Sequence, residues 1–290
     1  MYEYRSAMFV PGSNEKMLTK AKDLKADLIL FDLEDSVRPA NKVSARKLVA
    51  KTVAELRADE KHVGVRINDL SSGQALADLS AVLPSKPSLI VLPKVESGED
   101  LVKLDAMLGA IEAEIGLTFA SIKLIILTAE TPASLFQFDS LSNISERLVG
   151  MTWGAEDLAS ELGAAQGRDQ AGKWLPPFQL AQTLCLAKAR DLNAQALDTV
   201  YADIKNLEGL REECIAARQI GFTGKLAIHP AQLDVINEVF SPSEQEVEHA
   251  QRLVALFSAN PDAGAIEMDG RMMDIPHLRA AERLLARCKN

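Results

Sequence analysis

Short apolar runs alternate with longer amphipathic stretches along most of the chain. The runs are Ala7 to Val10, Leu28 to Phe31, Val63 to Ile67, Leu89 to Leu92, Leu124 to Leu127, Leu148 to Met151, Leu197 to Tyr201 and Leu226 to Ile228. Between them lie Glu15 to Leu24, Lys42 to Leu56, Leu101 to Ile115 and Pro177 to Leu192, which are spaced as helices and long enough for crossover connections. Strand, helix, strand repeated eight times predicts a closed (β/α)8 TIM barrel, with an open doubly wound sheet as the structural alternative.

After Pro230 the pattern changes. Ser241-Pro242-Ser243-Glu244 predicts a helix capped by Ser241 and running to about Ser258. Asn260, Pro261 and Gly264 break it. Ala265 to Met268 and Arg271 to Met273 then flank Asp269-Gly270, a dipeptide suited to a two-residue hairpin, and Pro276 opens a last helix through Arg287. The expected organisation is a barrel over residues 1–236 and a helical and hairpin extension over 237–290 that packs on a neighbouring subunit.

Polar residues follow the apolar runs: Asp32, Glu34 and Asp35, then Arg66 and Asn68, Lys94 and Glu96, Glu130, Gly154 to Asp157, Asp203 and His229. In a parallel barrel these positions meet at the carboxyl ends of the strands, where barrel enzymes carry their chemistry. Carboxylates crowded in a partly desolvated cleft repel one another, and a divalent cation relieves that repulsion. Glu130 and Asp157 follow successive strands. Two carboxylates leave about four of the six octahedral positions of magnesium for water and substrate oxygens.

The segments Arg5-Ser-Ala-Met-Phe-Val-Pro-Gly, Phe31-Asp-Leu-Glu-Asp-Ser-Val, Val65-Arg-Ile-Asn, Leu92-Pro-Lys-Val-Glu, Ala129-Glu-Thr-Pro, Gly154-Ala-Glu-Asp-Leu and Ala227-Ile-His-Pro span nearly the whole chain. In order and spacing the sequence resembles the citrate lyase β-subunit members of the HpcH/HpaI aldolase/citrate lyase family, within the magnesium-dependent CoA-ester lyases and 2-oxo acid aldolases. The resemblance implies a barrel, an Mg2+ cofactor and a homo-oligomer, a trimer or hexamer. It makes Glu130 and Asp157 the metal ligands and Arg66 the catalytic substrate cation. It assigns the substrate carboxylate to the amides of Ala155 and Glu156, and places Glu130 and Arg5 among the substrate-binding residues. Met272-Met-Asp-Ile-Pro resembles the tail motif of the CoA-ester lyases, whose aspartate enters a neighbour's site; this nominates Asp274 as acid or base. One departure, Ala133-Ser-Leu-Phe-Gln-Phe in place of a small glycine-containing stretch, bears on the shape of the pocket.

The reaction so implied is cleavage, or formation, of a 3-hydroxyacyl-CoA thioester such as citramalyl-, malyl- or citryl-CoA, giving an acyl-CoA and a 2-oxo acid. The alternatives are a 2-oxo acid aldolase without CoA, the catalytic subunit of a citrate lyase complex, and a non-catalytic CoA-metabolite binding protein. No phosphate-binding glycine loop stands at a strand-to-helix junction. Lys42 and Arg46 could meet phosphates without being assigned to them.

Charge and composition narrow the classes further. With 41 acidic and 32 basic residues, a net charge of -9 argues against a nucleic-acid binder. No uncharged run approaches the roughly 18 apolar residues of a membrane span, and the polar opening Met1 to Arg5 is unlike a signal segment, so a cytoplasmic location is expected. Cys185, Cys214 and Cys288 lie too far apart for a zinc or redox motif and read as reduced thiols. Glu34, Asp35, Lys94 and Glu96 divide evenly between functional and structural roles. His229 before a proline reads as a hydrogen-bonder, Trp153 as packing, and His62, His249 and His277 as surface residues.

Overall fold

The computed structural model describes residues 3–142 and 145–288, so the outer limits of the expected domains, at 1 and 290, lie outside the described residues. Among the described residues, eight parallel strands close into a barrel in sequence order: β1 (Ser6–Pro11), β2 (Leu28–Asp32), β3 (Val63–Arg66), β4 (Leu89–Val95), β5 (Lys123–Thr128), β6 (Leu148–Trp153), β7 (Gln195–Asp198) and β8 (Gly224–Ala227). β8 returns to β1 with Leu226 opposite Ala7. The open-sheet alternative is thereby excluded.

Alternating residues of each strand face opposite ways, and both faces are apolar. Leu28, Leu30, Leu89, Val91, Ile125, Leu127, Leu197 and Leu226 pack together as one buried cluster, the barrel's filling. Their neighbours Ile29, Phe31, Val63, Val65, Ile90, Leu92 and Ile126 belong to the larger cluster shared with the surrounding helices. Those helices are α1 (Glu15–Lys20), α2 (Lys42–Ala58), α3 (Ala75–Val82), α4 (Gly98–Glu114), α5 (Pro132–Leu135), α6 (Ala155–Leu162), α7 (Pro176–Asp191), α8 (Leu207–Ile220) and α9 (Leu233–Phe240).

Two strands, β7 and β8, begin two residues earlier than the apolar runs suggest, because polar residues take strand positions where their groups are satisfied. The Gln195 amide accepts from the Tyr4 N–H at 2.9 Å and donates to the Tyr4 carbonyl at 2.8 Å, tying β7 to the chain entering β1. Lys225 sits buried in β8 between two acids.

The boundary expected at residue 236 falls inside α9 and is corrected. Leu233, Ile236 and Phe240 are buried in the main core, so α9 is the barrel helix that follows the eighth strand. Beyond it, α10 (Glu244–Ala259), the hairpin β9 (Ala265–Met268) and β10 (Arg271–Asp274), and α11 (Ile275–Arg287) form a small core of their own around Ala250, Leu253, Phe257, Met268, Met273 and Ala281. Asp269 and Gly270 both take positive φ, 53° and 75°, as a primed two-residue turn requires. The α10 cap is Ser243, not Ser241. Ser243 Oγ accepts from the Glu246 N–H at 3.2 Å, and the Glu246 carboxylate accepts from the Ser243 N–H at 2.7 Å. Ser241 instead donates to the Asn237 carbonyl and accepts from Arg5. No helix among the described residues is long and apolar enough to cross a membrane.

Candidate active site at the barrel mouth

Two strained backbone positions build the mouth. Lys94 and Ala129 take positive φ, 52° and 55°, at the ends of β4 and β5, where the β4–β5 register shifts between Leu92 and Val95. Side-chain-bearing residues hold such angles only when their surroundings impose them, and such positions cluster at functional sites. Here the kink turns the Lys94 N–H onto Glu130 Oε2, with which it forms a short hydrogen bond. The turn at Ala129 leads into Glu130, and Thr131 then caps α5 by accepting from the Ser134 N–H.

Glu130 also needs the glycine that follows β6. A Cβ on Gly154 would stand 2.4 Å from Glu130 Cγ and 2.8 Å from Oε1, so only glycine lets the two strand ends approach this closely. Gly154 is the N-cap of α6. Ala155, Glu156 and Asp157 therefore occupy its first turn, where backbone N–H groups lack helical partners and negative charge is favoured.

Across the mouth, Arg66 Nε and Nη2 donate to Asp32 Oδ1 and Oδ2 at 2.7 and 2.8 Å, and Nη1 lies 2.9 Å from Glu34. The guanidinium also stands 4.8 Å from the Phe9 ring centre. Lys94 Nζ bonds Glu34 at 2.6 Å and lies 3.5 Å from Asp157. Burial opposes the charges of both partners in the Arg66–Asp32 pair, but their mutual attraction wins: Asp32 is held below the usual carboxylate range and Arg66 is raised. For Glu34 burial prevails over Arg66 and Lys94, and its pKa rises. Glu130 is pushed up to about 8, first by burial, with Asp157 and Glu34 adding repulsion against the opposing Lys94 hydrogen bond.

These residues enclose a cavity of about 390 Å³, lined by Asp32, Asp35, Arg66, Glu130 and Ala155 to Asp157 on its polar side and by Phe9, Leu127, Trp153, Val200 and Leu226 on its apolar side. The donor set fits a divalent cation. Asp32, Glu34, Asp35, Glu130 and Asp157 are answered by two cations, Arg66 and Lys94. Glu130 Oε1 is buried without a hydrogen-bond partner, the state of a carboxylate oxygen shaped for something other than the protein. Among the described residues no three His, Cys, Asp or Glu side chains are grouped to hold an ion alone. A metal here would thus be held by few protein oxygens and would take the rest from ligand and water, the habit of magnesium.

The structure brings some of the residues singled out in the sequence together and sets others apart. Arg66, Glu130, Ala155, Glu156 and Asp157 all line the one cavity. Arg5 does not, and its place is corrected: it precedes the first residue of β1, so it lies at the amino-terminal rim, paired with Asp27 at 2.7 Å and with Ser241. Lys42 is engaged by the Leu33 and Glu34 carbonyls and Asn68, and Arg46 by Asp78 and Gln74, so neither side chain is free for phosphate. His229 caps the turn after β8, its Nδ1 accepting from the Ala231 N–H. His62 is half-buried against Tyr4 rather than exposed. Glu96 accepts from Thr131 Oγ1 at the edge of the mouth. Asp274 caps α11 by accepting from the His277 N–H, and it is not among the residues lining its own chain's cavity. The backbone strain at Lys94 and Ala129 carried no signal in the sequence, since neither residue type announces a positive φ.

Residues 5–230 match the family model described as HpcH/HpaI aldolase/citrate lyase, and residues 179–290 match the model described as a C-C bond lyase of the TIM-barrel fold. The chain is 34% identical over 288 residues to citrate lyase subunit beta of Haemophilus influenzae, covering 99% of this chain and 97% of that protein. It is also 34% identical over 290 residues to a (3S)-malyl-CoA thioesterase of Cereibacter sphaeroides, covering 99% and 95%. Among solved structures it is similar to the protein CitE of Mycobacterium tuberculosis in complex with magnesium, acetoacetate and coenzyme A, with a TM-score of 0.79, 30% identity and 98% of each chain covered.

Proposed function

The chain belongs to the HpcH/HpaI aldolase/citrate lyase family of carbon–carbon lyases, and from that premise we propose that it cleaves or forms a 3-hydroxyacyl-CoA thioester at the barrel mouth, with a 2-oxo acid as the second product or substrate. The observation that carries this reading is the convergence of Arg66, Glu130 and Asp157 on one cavity, with a Glu130 oxygen buried and unpartnered. Solved relatives hold magnesium with oxaloacetate, and magnesium with acetoacetate and coenzyme A.

Glu130 and Asp157 are the side chains that would hold Mg2+, which when bound supplies a Lewis acid for a carbonyl oxygen. The first-turn amides of α6 at Ala155 and Glu156 would receive the carboxylate of the oxo acid, since helix N-termini suit anions. Arg66, fixed by Asp32, presents its charge to the substrate oxygen on which negative charge develops. The apolar wall of Leu127, Trp153, Val200 and Leu226 excludes water around them. Asp274, offered by the extension of an adjacent copy in a trimer or hexamer, would hold or move the proton at the α-carbon of the acyl thioester.

The test is direct. Citramalyl-, malyl- and citryl-CoA are incubated with the protein and magnesium or a chelator, and products are identified by mass spectrometry. Acyl-CoA plus a 2-oxo acid, formed only with magnesium, is the expected result; no turnover of any thioester sinks the proposal. The (3S)-malyl-CoA thioesterase relatives favour one second reading, thioester hydrolysis on the same scaffold. Free CoA as the product would establish it.

A further inference from the structure

Trp153 is fully buried yet lines the mouth cavity, and a chain of charged groups behind it holds it in place. Its indole Nε1 donates to Asp198 Oδ1 at 2.9 Å, which also accepts from Gln182 at 3.1 Å. Asp198 Oδ2 accepts from Lys225 Nζ at 2.6 Å, and Lys225 bonds Glu213 at 2.7 Å. Glu213 pairs with Arg168, whose guanidinium lies 3.4 Å from the Trp174 ring centre, and Trp174 stands edge-on to Trp153 at 5.0 Å. The contacts therefore form a closed ring through β6, β7, β8, α8 and the loop before α7.

Asp198 and Lys225 are both fully buried. Buried ion pairs add little stability over apolar packing of the same volume, so stability alone does not explain two opposed charges behind a tryptophan. Geometry does. An ionised acceptor with one oxygen occupied by Lys225 offers the other in a fixed direction, and the indole N–H must meet it. The next residue, Thr199, also lines the cavity and lies 3.5 Å from the Ala155 N–H, so the same strand end reaches the first turn of α6.

We propose that Asp198, held by Lys225, is a positioning residue that sets the Trp153 indole as the wall against which the oxo-acid part of the substrate packs. The inference rests on the lyase reading for its substrate, while its structural half can be read without turnover. The chain has two tryptophans, so a Trp174→Phe background leaves Trp153 as the sole emitter. On that background Asp198→Asn should shift the emission to longer wavelength and increase quenching by acrylamide. It should also raise KM about tenfold while kcat changes by less than about threefold, because ground-state packing is lost rather than transition-state charge stabilisation. Glu213→Gln, which keeps Lys225 hydrogen-bonded, should move both readouts the same way by less.

If Asp198→Asn does not fold, Trp153→Phe, which removes the indole N–H, carries the kinetic arm, and KM must rise. If the wild-type protein turns over no thioester, a titration with pyruvate and magnesium followed by Trp153 emission replaces it, with affinity expected to fall about tenfold in Asp198→Asn. That outcome would end the lyase reading and still support the positioning role. A loss of thermal stability with emission, KM and pyruvate affinity unchanged overturns the proposal and leaves Asp198 merely structural.

Discussion

Arg66 and Asp32 stand opposite one another in the register of β2 and β3 and are joined by two near-parallel hydrogen bonds, so the guanidinium is fixed in orientation before any ligand arrives. Both side chains are largely buried. This changes what substitution at Arg66 tests. Arg66→Ala would remove the substrate cation and also strand the Asp32 carboxylate, a loss of about 3–5 kcal/mol for a broken buried pair. Arg66→Lys keeps the charge but not the fork. It should retain most of the stability and lower kcat about a hundredfold, roughly 3 kcal/mol of lost charge stabilisation. Steady-state kinetics beside thermal melts check this, and full activity in Arg66→Lys refutes the role assigned to the planar fork.

Metal dependence should follow the two carboxylates. Glu130→Gln and Asp157→Asn should each weaken magnesium-dependent binding of pyruvate, read by calorimetry, while leaving the barrel folded by circular dichroism. Because burial raises Glu130 to about 8, its carboxyl is already largely neutral in the metal-free protein at neutral pH, and replacing it with an amide of the same shape should leave the melting temperature no lower than that of wild type. Chelator should abolish turnover and restored magnesium should return it. Activity that survives exhaustive chelation argues against any metal at the mouth.

Much of this arrangement was legible in the sequence, and the gaps have physical causes. The eight apolar runs mark strands because a parallel barrel buries both strand faces, and the polar residues after them mark the mouth. Lys225 and Gln195 disguised the starts of β8 and β7, since a paired buried lysine or a satisfied glutamine looks like loop. Arg5 was misplaced for a different reason: a motif shows that a residue is near a strand, but which end of the barrel it joins depends on whether it precedes or follows that strand. The Asp198 ring lay beyond reach, as its members come from segments far apart and meet only when the barrel closes. Ser241 and Ser243 each have a glutamate three residues on, Glu244 and Glu246, so the sequence offers two equal capping boxes; the fold closes the second, because the Ser241 hydroxyl is taken by the Asn237 carbonyl and Arg5.

Acid sensitivity should centre on Glu112. Its buried carboxylate accepts from Arg147 at 2.7 and 2.8 Å and from the Ala120 and Ile122 amides at 3.0 and 2.9 Å. Burial opposes its charge, but the hydrogen bonds and Arg147 outweigh it and hold its pKa below the usual carboxylate value. A carboxylate depressed in the folded state contributes stability above its unfolded pKa, near 4.5, and loses it as pH falls through the folded value. Glu112→Gln should therefore cost about 3 kcal/mol at neutral pH, because Arg147 loses its fully buried carboxylate partner and keeps only Asp105, 2.9 Å away. The deficit should shrink below about pH 4. Urea melts from pH 3 to pH 7 check the slope, and a constant deficit across that range would show that the charge of Glu112 is not what stabilises the fold.

The cysteines should differ sharply in reactivity. Burial raises Cys185 and Cys214, the latter to about 12, whereas Cys288 is exposed beyond α11. The thiolate is the reactive form. A thiol reagent at pH 8 should modify Cys288 promptly in the native protein and reach the other two only after denaturant is added. Rapid native labelling of Cys214 would mean that α8 opens readily.

Asp274 carries two roles that a single substitution to alanine would confuse. It caps α11, accepting from the His277 N–H, and it is proposed to serve a neighbouring copy's site. Asp274→Asn keeps the capping oxygen and removes the acid, so it should hold stability to within about 0.5 kcal/mol while turnover falls about a hundredfold or more. Asp274→Ala should lose activity and about 1 kcal/mol besides. Sharing between copies adds a sharper consequence. The impaired Asp274→Asn and Arg66→Lys chains, unfolded together and refolded as mixed oligomers, should regain activity well above that of either parent, because some sites then combine an intact Arg66 from one chain with an intact Asp274 from another. A mixture no more active than its parents would place the proton donor within the same chain, on the barrel that holds Arg66.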